Sequence, residues 1–299
     1  MAKKIKNKIV IGTWPLSGDY GIIKPSDVEK VLIKSFEDGF KEFDTAPSYG
    51  NGYIENLLGS IFNKKKIKIN TKIGNHPFAG KSFKLDDLKK SINNSLSRLK
   101  VENINILFLH NPRDELKPYL KETLSFLKNL KSKKIIKFTG LSCAPNYNYD
   151  NKFLKFFDFL QDDFNLLKKP NLRKKNNIYA RSVFANGILT GAIDRNQKFN
   201  KYDHRASWLN NNTRRSSIKT RLTVLRDNFG HDLKQYSFNY VLSNKKISKA
   251  IIGVKKKEHI KNLELMINNF EKNLNTNNKI EKLIDNDFYL NQNHKELGF

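Results

Sequence analysis

Cysteine is almost missing from this 299-residue chain, where Cys143 stands alone. One thiol can form neither an intrachain disulfide nor a Cys-rich zinc site, which excludes a secreted disulfide scaffold and fits a reducing compartment. No metal site is expected. Long apolar runs are missing as well. The basic start MAKKIKNKIVIGTW holds only the short apolar stretch 9–11, and nothing in the chain approaches the ~20 residues that a membrane helix needs. The expectation is a soluble cytoplasmic protein without a membrane partner. A chain of this length buries enough core to need no covalent staples.

Acidic residues are scarce beside basic ones, 29 against 56, for a formal net charge of +27 and a pI of about 9.9. Such a balance is the electrostatic footprint of nucleic-acid binders. Its distribution argues otherwise. Lysine is spread along the whole chain together with asparagine and isoleucine, with no basic arm, zinc-finger spacing or RNP-like aromatic strand. The excess reads as a solvated surface, and no nucleic-acid partner is expected. Also missing are a G-x-G-x-x-G turn, any repeat of solenoid period and any low-complexity linker.

What is present is an alternation. Short apolar runs at 8–12, 41–45, 67–72, 104–110, 135–142, 157–161, 178–182 and 250–254 predict eight strands. Amphipathic segments at 27–38, 54–62, 85–99, 118–131, 218–229, 233–242 and 258–270 predict helices between and after them. Ser26 is the expected cap of the first, and Gly39 its stop. Strands alternating with helices imply βαβ units, and eight of them in about 250 residues predict a single-domain (β/α)8 TIM barrel over 1–299, in the α/β class. The polar stretch 194–217 is too long for an ordinary connection and reads as a top-face lid or pocket wall; the tail 279–299 folds back or frays.

In such a barrel the strand C-termini open on one face. Asp44, Lys72 and His110 end three successive predicted strands, and neighbouring strands lie about 4.8 Å apart, so the three side chains can converge. Tyr49 follows Asp44 by five residues in Ala46-Pro-Ser-Tyr-Gly50. A buried Asp–Lys pair or a lone strand-end histidine is ordinarily structural, but acid, amine, imidazole and phenol together form a coherent set. The Lys72 ammonium is expected to lower the Tyr49 pKa, Asp44 to orient Lys72, and His110 to hydrogen-bond a carbonyl oxygen or relay a proton.

The spans Phe43-Asp-Thr-Ala-Pro-Ser-Tyr-Gly50, Asn70-Thr-Lys72, Leu109-His110 and Gly140-Leu-Ser142 resemble the consecutive motifs of the aldo-keto reductase superfamily, in that family's order. Glu55 with Leu57-Leu-Gly59, Ser97-Arg-Leu99, Gln161, Phe164-Asn165, Ala180-Arg-Ser182 and Gly187-Ile-Leu-Thr-Gly191 extend the likeness over nearly the whole chain. The resemblance implies an NADP(H)-dependent oxidoreductase that reduces an aldehyde or ketone, with Tyr49 as general acid tuned by Lys72 and Asp44, and His110 orienting the carbonyl. It also implies cofactor contacts at Gly12, Thr13 and Trp14, a carboxamide site at Ser142 and Gln161, and a residue under the nicotinamide at Arg181, flanked by Ser182 and Gly187. Gly253, Lys255, Lys256 and His259 would hold the adenosine end. Lys255–Lys257 open a predicted helix, where cations oppose the macrodipole unless an anion such as a 2′-phosphate lies between them and the helix amides. NADPH is therefore expected over NADH.

Departures from the family pattern are Cys143 in place of an asparagine, Arg181 in place of an aromatic ring, Asn262-Leu263 in place of a Glu-Asn pair, and an N-terminal hairpin shortened to the residues before Lys8. The same set of residues would also serve a sugar 1-dehydrogenase working oxidatively, or a cofactor-binding regulatory protein like the channel-associated members. Trp14, Tyr53 and Trp208 suggest aromatic walls for a small carbonyl or sugar substrate.

Overall fold

The computed structural model describes residues 1–63, 65–168, 177–193, 197–271, 279–280 and 282–283. Eight strands close into a barrel: β1 (Ile9–Gly12), β2 (Glu42–Asp44), β3 (Lys68–Ile73), β4 (Ile104–His110), β5 (Ile136–Ser142), β6 (Phe159–Asp163), β7 (Ile178–Arg181) and β8 (Ile247–Gly253). Each strand pairs in parallel with its sequence neighbours, and β8 returns to β1 with Gly253 opposite Gly12. This is the (β/α)8 barrel that the alternation predicts.

Two layers of apolar side chains hold it. Inside the barrel, Val10, Ile106, Phe108, Tyr179 and Ile251 pack on one another, with Phe138 and Phe159 at their edge. Outside, the opposite faces of the strands meet the helices in one continuous core. The floor carries a buried polar knot in which Glu42 accepts from Asn70 and Tyr179 at 2.9 and 3.0 Å and pairs with Lys249 at 2.5 Å. The residues before β1 form a short helix, Ala2–Lys6, whose Ile5 joins the outer core.

Several predicted boundaries move. The helix expected at 27–38 runs Pro25–Glu37, because Pro25 supplies the preset φ of a first helical turn; Ser26 lies inside it and caps nothing. Strand β6 is displaced two residues from the predicted 157–161, since Phe157 ends a short helix (Asn151–Phe156) capped by Asp150, and the strand continues through Asp162 and Asp163. The polar stretch 194–217 is not loop throughout. Asn211 caps a helix, Asn212–Phe229, that begins six residues before the apolar spacing shows it, and a turn of helix (Ala206–Leu209) precedes it. Most of the tail 279–299 lies outside the described residues. No helix among those described is long and apolar enough to cross a membrane.

Candidate active site

The strand ends build the site in rows. His110 pairs with Ser142 and Ser142 with Gln161, while Asp44 sits between Gly12 and Asn70. Lys72 projects inward because its neighbour Thr71 projects outward, giving its hydroxyl to buried Glu55 at 2.6 Å. Glu55 also takes Arg98 at 2.8 Å, which ties the helices Tyr53–Ile61 and Leu85–Leu99 to β3. Tyr49 is presented by a tight turn in which Gly50, Asn51 and Gly52 all have positive φ. A side chain at Gly52 would meet Arg98 at 3.0 Å, so both backbone and space demand glycine there.

The four catalytic candidates converge as predicted. Lys72 Nζ lies 2.6 Å from Asp44 Oδ1 and donates to the Thr45 carbonyl at 2.8 Å. The same ammonium stands 4.9 Å from the centre of the Tyr49 ring, and the His110 ring is edge-on to that of Tyr49 at 6.3 Å. Trp14 stacks nearly parallel to Tyr49 at 6.2 Å. All face a cavity of about 860 Å³, in the size range of cofactor and ligand sites.

Burial changes the electrostatic expectation. It pushes the Tyr49 phenol above its ordinary pKa, and this exceeds the lowering by Lys72 and Arg181, partly because Asp44 offsets the ammonium. Lys72 thus acts on Tyr49 in the direction the sequence suggests, but burial outweighs it and leaves the phenol above its ordinary value. Burial also pulls Lys72 down, but Asp44 and Tyr49 outweigh it and keep the ammonium charged. His110 is driven well below its usual value by burial and by Lys72 and Arg181. Its imidazole is neutral and Nδ1 is buried without a partner among the described residues.

Of the other nominated residues, Gly12, Trp14, Gln161, Arg181, Ser182, Gly187, Gly253, Lys255 and His259 line the cavity, whereas Thr13, Ser142 and Lys256 do not. The amide and the hydroxyl of Thr13 both donate to the Asp44 carbonyl. Gln161 Nε2 donates to Asp44 Oδ2 at 2.8 Å, and its Oε1 accepts from Ser142 at 3.1 Å. One amide hydrogen and one lone pair remain for a ligand amide. The Lys255 ammonium donates to the Tyr20 and Gly21 carbonyls at 2.5 and 3.0 Å, so it pins the loop after β1. Lys256 is the N-cap of the helix Lys257–Asn268, and His259 Nδ1 accepts from the Lys255 amide at 3.1 Å.

Arg181 is held by four partners: Asp163, Asn111 and Ser142 at 2.8, 3.1 and 2.8 Å, and the Cys143 carbonyl at 2.6 Å. Asp163 is buried, yet Arg181, Lys168 and Ser182 hold its carboxyl well below the usual range. Sequence reasoning missed Asp163, although Asp162-Asp163 closing an apolar strand was a visible signal. It also missed Asp19, Tyr20, Asn111 and His204 on the walls. The expected aromatic walls hold only at Trp14. Trp208 is buried behind the surface and Tyr53 is partly exposed away from it; Tyr20 and His204 complete a cluster with Trp14 at 5.1 and 4.6 Å.

Residues 8–285 match the model of the aldo/keto reductase family, and the chain belongs to that family. It is 26% identical over 262 residues to L-galactose dehydrogenase of Arabidopsis thaliana, covering 81% of this chain and 78% of that protein. In structure it is similar to a glycerol dehydrogenase of Gluconobacter oxydans, with a TM-score of 0.72, 20% identity, and 94% and 92% of the two chains covered. An aldo-keto reductase of Bacillus halodurans in its holo form gives a TM-score of 0.72 at 18% identity, covering 92% of this chain and 91% of that one.

Proposed function

We propose that this aldo/keto reductase family member reduces an aldehyde or ketone to an alcohol with NADP(H), using Tyr49 as the proton donor. The observation that carries the reading is the convergence of Tyr49, the Lys72–Asp44 pair and His110 on one cavity, with the Lys72 ammonium 4.9 Å from the Tyr49 ring centre and the His110 ring edge-on to it. A nicotinamide cofactor, when bound, supplies a hydride to the carbonyl carbon. His110, as a neutral imidazole, offers an N–H to the carbonyl oxygen and orients it. Tyr49 gives its proton to that oxygen as negative charge develops there, and Lys72, fixed by Asp44 and the Thr45 carbonyl, stabilises the phenolate left behind. Trp14 stacks on Tyr49 and fixes the plane of the phenol ring.

The cavity fits such a cofactor, because it runs without a break from Lys72 past Arg181 and Gly187 to Lys255, His259 and Asn262. Gln161 retains hydrogen-bonding capacity for the carboxamide, and Lys256 at a helix N-terminus is the cation we assign to a 2′-phosphate. A cytoplasmic setting suits the single free, buried thiol of Cys143. The similarity to L-galactose dehydrogenase supports a second reading, oxidation of a sugar by the same residues. A protonated Tyr49 favours reduction near neutral pH.

Tyr49→Phe removes only the hydroxyl. It is expected to lower NADPH-dependent turnover about 10²- to 10⁴-fold while cofactor affinity stays the same. Turnover close to that of the unaltered protein would reject the role.

A further inference from the structure

We infer that Asp19 makes the site selective for neutral, polyhydroxylated carbonyl substrates and against phosphorylated ones. The inference rests on the reductase reading for its chemistry and names the substrate class of the same cavity.

Three of the cations on the cavity wall are held in ion pairs. Lys72 is paired with Asp44, Arg181 with Asp163, and Arg205 with Asp203. Lys255 is spent on two backbone carbonyls. A substrate phosphate or carboxylate would have to break one of these pairs to use Lys72, Arg181 or Arg205; Lys234 also lines the cavity, with no ion pair among the described residues. Asp19 lines the same cavity and has no ion-pair partner among the described residues. Its Oδ2 accepts from the Trp14 indole at 2.7 Å and from Ser17 Oγ at 2.8 Å, which fixes the carboxylate; Oδ1 has no hydrogen bond among those residues. A fixed carboxylate with an open oxygen accepts substrate hydroxyls strongly and repels an anion. Trp14 packs edge to face with Tyr20 and against Tyr49 and His204, which holds the indole that donates to Asp19 in place.

The test compares D-erythrose, D-erythrose 4-phosphate and 4-nitrobenzaldehyde as substrates of the full-length protein and its Asp19→Asn variant, which keeps an acceptor for Trp14. The expected result is a preference of at least about tenfold in kcat/KM for erythrose over its phosphate, shrinking about fivefold or more in Asp19→Asn, with the hydroxyl-free aldehyde changed less than about twofold. A preference for the phosphate, or equal changes on all three substrates, would overturn the inference, the latter marking Asp19 as a mere support for Trp14. Calorimetric binding of erythritol and erythritol 4-phosphate separates the two readings. If no carbonyl is turned over but erythritol binding still depends on Asp19, the reductase reading fails and the selectivity stands; if erythritol binding is the same in both proteins, the selectivity fails.

Discussion

Replacing Lys72 by methionine tests the energetics of the site most directly. The Lys72–Asp44 pair is nearly sealed, with side-chain exposures of 1% and 5%. Methionine fills a similar volume, so the change removes charge rather than packing. Asp44 keeps its bond from Gln161 but loses the ammonium at 2.6 Å. Stranding one partner of a buried ion pair costs about 3–5 kcal/mol, a large part of the ~5–15 kcal/mol that holds a domain together. Urea unfolding of Lys72→Met at pH 8 is expected to show that loss. The double variant Lys72→Met/Asp44→Leu should recover most of the stability while remaining inactive, since both buried charges are gone. A single variant within about 0.5 kcal/mol of the parent at pH 8, or a double variant no more stable than the single, would refute the claim that the pair is buried and mutually dependent.

Three further outcomes follow. Because burial holds the Tyr49 phenol above its ordinary pKa of about 10, the reductive kcat/KM should stay level through alkaline pH and fall only above that value, whereas alcohol oxidation should rise with pH; a reductive midpoint below pH 9 would contradict it. Lys256→Ala should weaken NADPH by about tenfold and leave NADH unchanged, while Lys255→Ala, which unpins Tyr20 and Gly21, should weaken both cofactors in a fluorescence titration. Gly59→Ala would place a Cβ 2.2 Å from the Arg98 carbonyl oxygen, so the two helices must part; a loss of about 1–3 kcal/mol in thermal or urea unfolding is expected despite alanine's better helix propensity.

The barrel was legible because strands buried on both faces read as short runs dominated by apolar residues, of which Ile104-Asn-Ile-Leu-Phe-Leu-His110 is the clearest. Legibility failed where a polar residue does structural work. Asp163 ends β6 as the counterion of Arg181, a role that requires β7 to be in place before the carboxylate makes sense. The helix Asn212–Phe229 starts in a polar stretch because only its C-terminal part packs on the core, where Ile218, Leu225 and Phe229 are buried. Tyr49 chemistry was half legible. Spacing brought the phenol and ammonium together, but the sign of the phenol's shift depends on burial, which the fold decides and the sequence spacing does not show.

The net charge of +27 is therefore a poor guide to the mouth of the barrel. Charges on the outer surface beyond about 8 Å are largely screened at physiological salt, whereas inside the cavity Asp44, Asp163 and Asp203 pair with Lys72, Arg181 and Arg205, and Asp19 adds a carboxylate with no ion pair among the described residues, on a wall that Lys234 and Lys255 share. The surface excess is thus not carried over to the ion-paired residues of the mouth. A measurable consequence is that kcat/KM for a neutral aldehyde should change less than about twofold between 50 and 300 mM salt at saturating cofactor, since no long-range steering acts on an uncharged substrate. For a phosphorylated aldehyde, salt should first remove the attraction of the distant lysines and leave the repulsion of Asp19, so its kcat/KM should fall as salt rises. A rise instead would mean that repulsion also dominates at long range, and the division of charge between surface and mouth would be wrong.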